Sequence, residues 1–333
     1  MKKILVFGAT GNIGAYLVDY LNSKFENTEY KIVAVGRKNT NFFSKMGIEY
    51  LRININNDED LKKLPRENVY AIVNLIGILP AYLEKYDPFA YVETNICGAL
   101  KLMEYARDIS VNRVLYTQTW AVQGGYWGKK EVLSPNDPKK LIYKGDHAFY
   151  CITKNMIEET MEYYKEEFGV KNFVFRLPNV YLYHPHKTYY VNGIEKKVSY
   201  RYMIDLASRG EDIELWGNPN AFKDILYIKD LCQMMYKAIL VNNSGGIYNA
   251  GTGIKTTLQE QIEGIIEIFN PAEKKSNIIY EPLKSTFDSF VMDISNIKED
   301  LGYEPEFTYI DYLRDYKKEQ ELRRFDKLWL NKE

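Results

Sequence analysis

Residues 4–14 read Ile4-Leu5-Val6-Phe7-Gly8-Ala9-Thr10-Gly11-Asn12-Ile13-Gly14, an unbroken apolar run that stops at the first of three evenly spaced glycines. An apolar run bounded by glycine describes a buried strand. Ile13, Leu17 and Leu21 then recur on one helical face, and a second apolar run follows at 32–35. This strand, turn, helix and strand is the setting in which a glycine turn admits a dinucleotide pyrophosphate to backbone N–H groups at a helix N-terminus. Glycines alone would only mark a turn; their context assigns Gly8, Thr10, Gly11, Asn12, Ile13 and Gly14 to cofactor binding.

Working outward, strand-like runs at 71–76, 114–116 and 173–175 alternate with helical periodicity, which argues for parallel βαβ units. Ile157, Met161, Tyr164 and Phe168 share one helical face and Gly169 supplies the stop. Beyond Pro178 the pattern loosens into a tyrosine-rich segment, 181–202, read as a loop or hairpin around Asn192-Gly193. The fold class is α/β: a Rossmann-type doubly wound parallel sheet with a smaller mixed α/β C-terminal substrate lobe. Residues 1–178 and 225–254 are assigned to the dinucleotide-binding domain, and 179–224 and 255–333 to the substrate-binding lobe.

The chain has 333 residues, with 44 Lys and Arg nearly balancing 45 Asp and Glu. That balance gives no electrostatic footprint for nucleic acid or an anionic membrane. Cys97, Cys151 and Cys232 are odd in number and far apart, which fits reduced, buried thiols better than disulfides or a metal site. The expected location is cytoplasmic. The apolar run after Met1-Lys2-Lys3 stops too soon for a signal peptide, and no stretch is long enough to span a bilayer.

After the second strand, where an acid would normally hold the adenosine ribose, the chain reads Val35-Gly36-Arg37-Lys38. Arg37, with Lys38 behind it, suits a 2′-phosphate, which favours NADP over NAD. A solvated loop is the plainer alternative.

Tyr150 and Lys154 stand one helical turn apart and so share a face. Holding a phenol near neutrality takes roughly 4 kcal/mol of preferential phenolate stabilisation, more than one neighbouring charge gives. Lys154 would supply one positive charge and an oxidised nicotinamide another. Thr119, at the end of the 114–116 strand, would hold the substrate oxygen, completing a catalytic trio. With 29 tyrosines, chance pairings occur. The rival Tyr126 and Lys130 lie among Gly124, Gly125 and Gly128, where a helical turn bringing the two side chains together is not expected.

These residues resemble the extended short-chain dehydrogenase/reductases, in particular the NAD(P)-dependent nucleotide-sugar epimerase/dehydratase group. The resemblance runs through Gly8 to Gly14, Val73-Asn74-Leu75-Ile76-Gly77, Glu93-Thr94-Asn95, Tyr116-Thr117-Gln118-Thr119, Tyr150 with Lys154, Arg176-Leu177-Pro178-Asn179-Val180-Tyr181, Lys223-Asp224 and Leu301-Gly302-Tyr303. It implies cofactor contacts by Asn54, Ile55, Leu75, Ile76, Gly77, Asn95, Thr117, Pro178 and Val180, and by Lys154 to the nicotinamide ribose. Substrate contacts would come from Thr119, Asn179 and Lys223. Asn54 replaces an aspartate common at the adenine. Lys223, and the neighbourhood of Lys284, lack the arginines that usually grip the substrate diphosphate. Trp120 and Ala121 stand where sugar 4,6-dehydratases carry an aspartate and a glutamate, which argues against that elimination. His184 and His186, beside the expected substrate pocket, read as exposed loop residues.

The resemblance implies a homodimer built on the helices near Glu93 and Tyr150. The leading expectation is a C4 epimerase of nucleotide sugars, working through a transient 4-keto sugar with NADP or NAD retained. The alternatives are an NADP-dependent 4-ketosugar reductase and a non-catalytic dinucleotide sensor.

Overall fold

A computed structural model describes residues 1–330. Seven strands form its central sheet: β1 (Lys2–Phe7), β2 (Tyr30–Gly36), β3 (Glu49–Arg52), β4 (Val69–Asn74), β5 (Arg113–Thr119), β6 (Lys171–Leu177) and β7 (Gly245–Asn249). Their order is β7-β6-β5-β4-β1-β2-β3 and every pairing is parallel. The order reverses between β1 and β4, the switch point where doubly wound sheets open a ligand crevice at their carboxyl ends.

Alternate residues build two cores, because side chains leave a strand on opposite faces. Ile4, Val6, Ala34, Val73, Leu115 and Phe173 face one side. Leu5, Phe7, Val33, Ile72, Val114 and Val174 face the other. The first side is covered by α1 (Asn12–Lys24) and by a helix at Ile228–Leu240, which pack on each other. The second is covered by α2 (Ala99–Asp108) and α3 (His147–Phe168).

The first core continues without a break into the C-terminal part, reaching Ile262, Tyr312 and Leu313. There a parallel pair, Ile213–Trp216 with Ile278–Glu281, packs with the helices Ser199–Ser208 and Leu258–Phe269. The chain then returns across α1, where Arg324 pairs with Asp19 at 2.7 Å and Phe325 meets Tyr16 edge-on.

Several local expectations are corrected. The fourth strand stops at Asn74, before Leu75 and Ile76, because the chain turns there into the crevice. Phe168, the last residue of α3, is exposed and packs on Tyr163 and Tyr164 instead of entering the core. Cys97 is exposed, while Cys151 and Cys232 are buried; all three are unpaired. Segment 181–202 does form the expected hairpin, Thr188–Val191 with Ile194–Lys197, but it also carries the start of a helix at Ser199 that the sequence reading left out. Asn192 and Gly193 both take positive φ (49° and 76°), the twist a two-residue hairpin turn requires.

Candidate active site

The glycine turn is built by close approach. Gly8 has φ of +80°, and a Cβ on Gly14 would sit 2.1 Å from the Gly8 carbonyl oxygen, so only glycine lets α1 start this near β1. Ala15 N makes the first intrahelical bond, to Gly11 O at 3.1 Å. The N–H groups of Asn12, Ile13 and Gly14 precede it, no side chain caps them and no acid lies in the first turn. Such a helix start fits a pyrophosphate.

The ends of β2 and β3 frame a cavity of about 870 Å³ lined in part by Arg37, Lys38, Arg52, Asn54 and Lys63. Arg37 is exposed, and its carbonyl accepts from Arg52 Nε at 3.3 Å. The Lys38 ammonium donates to Leu328 O at 2.8 Å, so it is turned toward the C-terminal helix. Asp60, the acid in this cavity, is paired with Lys63 at 2.5 Å and accepts from Asn54 N at 2.9 Å. Ile55 is buried beneath, against Gly98. Arg52 is a residue that sequence reasoning missed; an arginine at the end of a third strand is a signal only once β3 is known to lie beside β2.

At the other end of the crevice, Leu75 N donates to Phe7 O at 3.1 Å and Ile76 N to Asn74 Oδ1 at 3.0 Å. A Cβ on Gly77 would lie 3.7 Å from Asn95 Oδ1 and 3.8 Å from Lys154 Nζ, which places this turn beside both. Asn95 lies in a π-helical turn, Val92–Gly98, that runs on into α2. Its amide accepts from Ile78 N at 2.8 Å and donates to Ile78 O and Thr153 Oγ1. Thr153 in turn donates to Tyr150 O at 2.8 Å. Asn95 therefore ties the crevice turn to the helix that carries Tyr150 and Lys154.

Tyr150 and Lys154 are both buried. Tyr150 packs with Tyr91, Ala121 and Cys151 under Ile78 and Leu79. Lys154 puts its ammonium over the Tyr116 ring, 3.9 Å from the centroid, and its carbonyl accepts from Gln118 Nε2 at 3.0 Å. The two functional groups share a helix face without bonding each other. Burial raises the Tyr150 phenol pKa and lowers that of Lys154 to about 7. The chain by itself thus keeps this phenol protonated; its ionisation needs further positive charge. Glu158 anchors the same helix from a buried position, 3.0 Å from Arg176 and 2.9 Å from Lys139 and Gln118. Burial pushes its carboxyl up, but Arg176, Lys139 and Gln118 outweigh that and hold it below its ordinary value.

Thr119 ends β5 one residue pair beyond Thr117, and its Oγ1 accepts from Ala121 N at 3.2 Å. Next to it Trp120 is stacked between Trp127 (4.3 Å) and Phe290 (4.1 Å), forming an aromatic wall. Lys223 bridges to the Phe290 backbone and holds its ammonium 3.7 Å from the Phe287 ring centroid; burial lowers its pKa to about 8. Pro178 is buried, Asn179 exposed, and Val180 pairs with Leu226. Lys284 is paired with Glu214 at 2.5 Å.

Two further expectations are corrected. His184 is buried against Trp329, and burial lowers its pKa to about 3, so it is no exposed loop residue. Lys130 does approach the Tyr126 ring (5.8 Å), because a 3-10 turn forms through the glycines, but its ammonium is held by Asp137 at 2.5 Å. No His, Cys, Asp and Glu cluster fit for a metal occurs among the described residues.

A model of the NAD dependent epimerase/dehydratase family matches residues 4–251 of this chain. The chain belongs to that family. It is an enzyme of the extended short-chain dehydrogenase/reductase type. An uncharacterized protein of Methanocaldococcus jannaschii is 26% identical over 331 residues, 95% of each chain. UDP-glucuronic acid decarboxylase 3 of Arabidopsis thaliana is 26% identical over 321 residues, 91% of this chain and 84% of that one. In fold the family member resembles the UDP-glucose 4-epimerase of Thermotoga maritima, with TM-score 0.75 at 22% identity, covering 96% of this chain and 99% of that one. No helix among the described residues of this family member is long and apolar enough to cross a membrane.

Proposed function

We propose that this family member interconverts nucleotide sugars at C4 through a transient 4-keto sugar. The observation that carries the reading is the buried helix face of Tyr150 and Lys154 set beside Gly77, with Trp120 and Ala121 in place of an acid pair. Tyr150 takes the 4-hydroxyl proton of the sugar and later gives it back to that same oxygen, once the 4-keto sugar has rotated in the site to present its other face; Thr119 holds the oxygen. Lys154 binds the cofactor ribose and adds positive charge beside the phenol. The bound dinucleotide supplies the hydride acceptor and donor. Lys223, a half-buried cation beside the aromatic wall, meets the substrate diphosphate, and Asn179 lies with it on the substrate side. We assign residues 1–178 and 225–254 to cofactor binding and the remainder to the substrate lobe.

Arg37 and Arg52, adjacent at the adenosine end, support NADP as the preferred dinucleotide. They also favour the second reading, a 4-ketosugar reductase that consumes NADPH. The exposed Leu100, Ile152, Met156 and Tyr163 on α2 and α3 support a homodimer. Three unpaired cysteines support a reducing, cytoplasmic setting.

Purified protein is incubated with UDP- and dTDP-hexoses without added cofactor, and C4 configuration is followed by NMR. A new C4 epimer, with stoichiometric dinucleotide released on denaturation, is expected. Net oxidation of added NADPH with a 4-keto sugar and no epimer would replace the reading by the reductase.

A further inference from the structure

After Gly77 the chain passes over the phosphate turn and forms a 3-10 turn, Pro80–Tyr82. Tyr82 Oη accepts a hydrogen bond of 2.9 Å from Asn12 Nδ2. Asn12 opens α1 and carries one of the uncapped N–H groups at the expected pyrophosphate position. Since the phenol is the acceptor in that bond, its own hydrogen remains to be donated, and no acceptor for it occurs among the described residues. An O–H donor held beside a helix N-terminus is complementary to an anion.

The surroundings add positive charge and a support. Arg201 is buried and donates to Tyr200 Oη (3.0 Å), His186 O (2.5 Å) and Leu182 O (3.3 Å), all neutral oxygens. No carboxylate pairs with it among the described residues. Behind Tyr82, the hairpin of residues 188–197 packs on the Pro80–Tyr82 turn. Tyr190 Oη donates to Glu84 at 3.1 Å, and Asn192 N donates to Asp146 at 3.3 Å, just before α3. The segment over the phosphate turn is thereby fastened to the substrate lobe and to the start of the catalytic helix.

We propose that Tyr82 donates its phenolic hydrogen to the pyrophosphate of the bound dinucleotide and, backed by the hairpin, retains the cofactor in its groove. The inference rests on the dinucleotide reading above. It gives a physical reason for an enzyme of this kind to keep its cofactor through turnover: opening the groove requires the turn and hairpin to part from Asn12.

The test is the dissociation rate of reduced dinucleotide, read by its fluorescence when chased with excess oxidised dinucleotide. Tyr82 is largely exposed (62%), so Tyr82→Phe keeps the fold. Loss of one hydrogen bond to a charged group predicts dissociation about tenfold faster. In the cycle with Asn12→Ala, the double variant is expected to fall short of the product of the two single effects, since both residues act on one anion. A Tyr82→Phe rate equal to wild type overturns the proposal and leaves the dinucleotide reading standing. Failure of the wild-type protein to bind either dinucleotide overturns that reading, and the proposal with it.

Discussion

Lys154 rests its ammonium on the face of the Tyr116 ring, 3.9 Å from the centroid, rather than on the phenol of Tyr150 one turn earlier in the same helix. The ring quadrupole partly replaces the water that burial removes. Charge on the lysine is therefore poised, and its transfer to the service of Tyr150 depends on what binds in the crevice beside Gly77.

Tyr150→Phe removes the proton-transfer group while keeping the ring packed among Tyr91, Ala121 and Cys151. Turnover should fall by roughly 10³-fold, in the range of general acid–base contributions, with the melting temperature unchanged. Steady-state kinetics beside a thermal melt check both parts.

Burial lowers the Lys154 pKa from 10.5 to about 7 in the fold. Between those values the unfolded chain binds a proton that the native state does not, so stability rises with pH across that window. Lys154→Met should flatten the rise. Urea unfolding of cofactor-free wild type and variant at pH 7 and pH 9 measures the difference, and equal slopes would contradict it.

Glu158 and Arg176 form an ion pair with both side chains 2% exposed. Glu158→Ala leaves the guanidinium buried without its partner and should cost about 3–5 kcal/mol. Because Glu158 lies one turn beyond Lys154 on α3, turnover should fall as well, and Glu158→Gln, which keeps the contact to Gln118, should recover part of it.

Arg37→Ala combined with Arg52→Ala should weaken NADP about tenfold or more, roughly 1.4 kcal/mol, and leave NAD nearly unaffected. Titrating both dinucleotides by intrinsic fluorescence reads the ratio. Equal losses for the two would remove the 2′-phosphate assignment.

Met156→Glu, on the exposed face of α3, should convert the proposed homodimer to a monomer with the fold retained, since a charge there would be buried without a partner. Light scattering after gel filtration gives the mass directly.

Residues 4–14 were enough to place a strand, a tight turn and a helix start, because an unbroken apolar run ending at glycine and the positive φ of Gly8 are local properties written in neighbouring residues. The shared face of Tyr150 and Lys154 was legible for the same reason, as four residues make about one helical turn. What the ammonium of Lys154 touches, which arginine joins Arg37, that His184 is buried, and that Tyr82 reaches Asn12 were set only by tertiary structure. Each of those contacts joins residues brought together by the strand order or by the packing of a hairpin across the crevice. Sequence spacing carries no record of such distances, since they are fixed by the mutual burial of surfaces far apart along the chain.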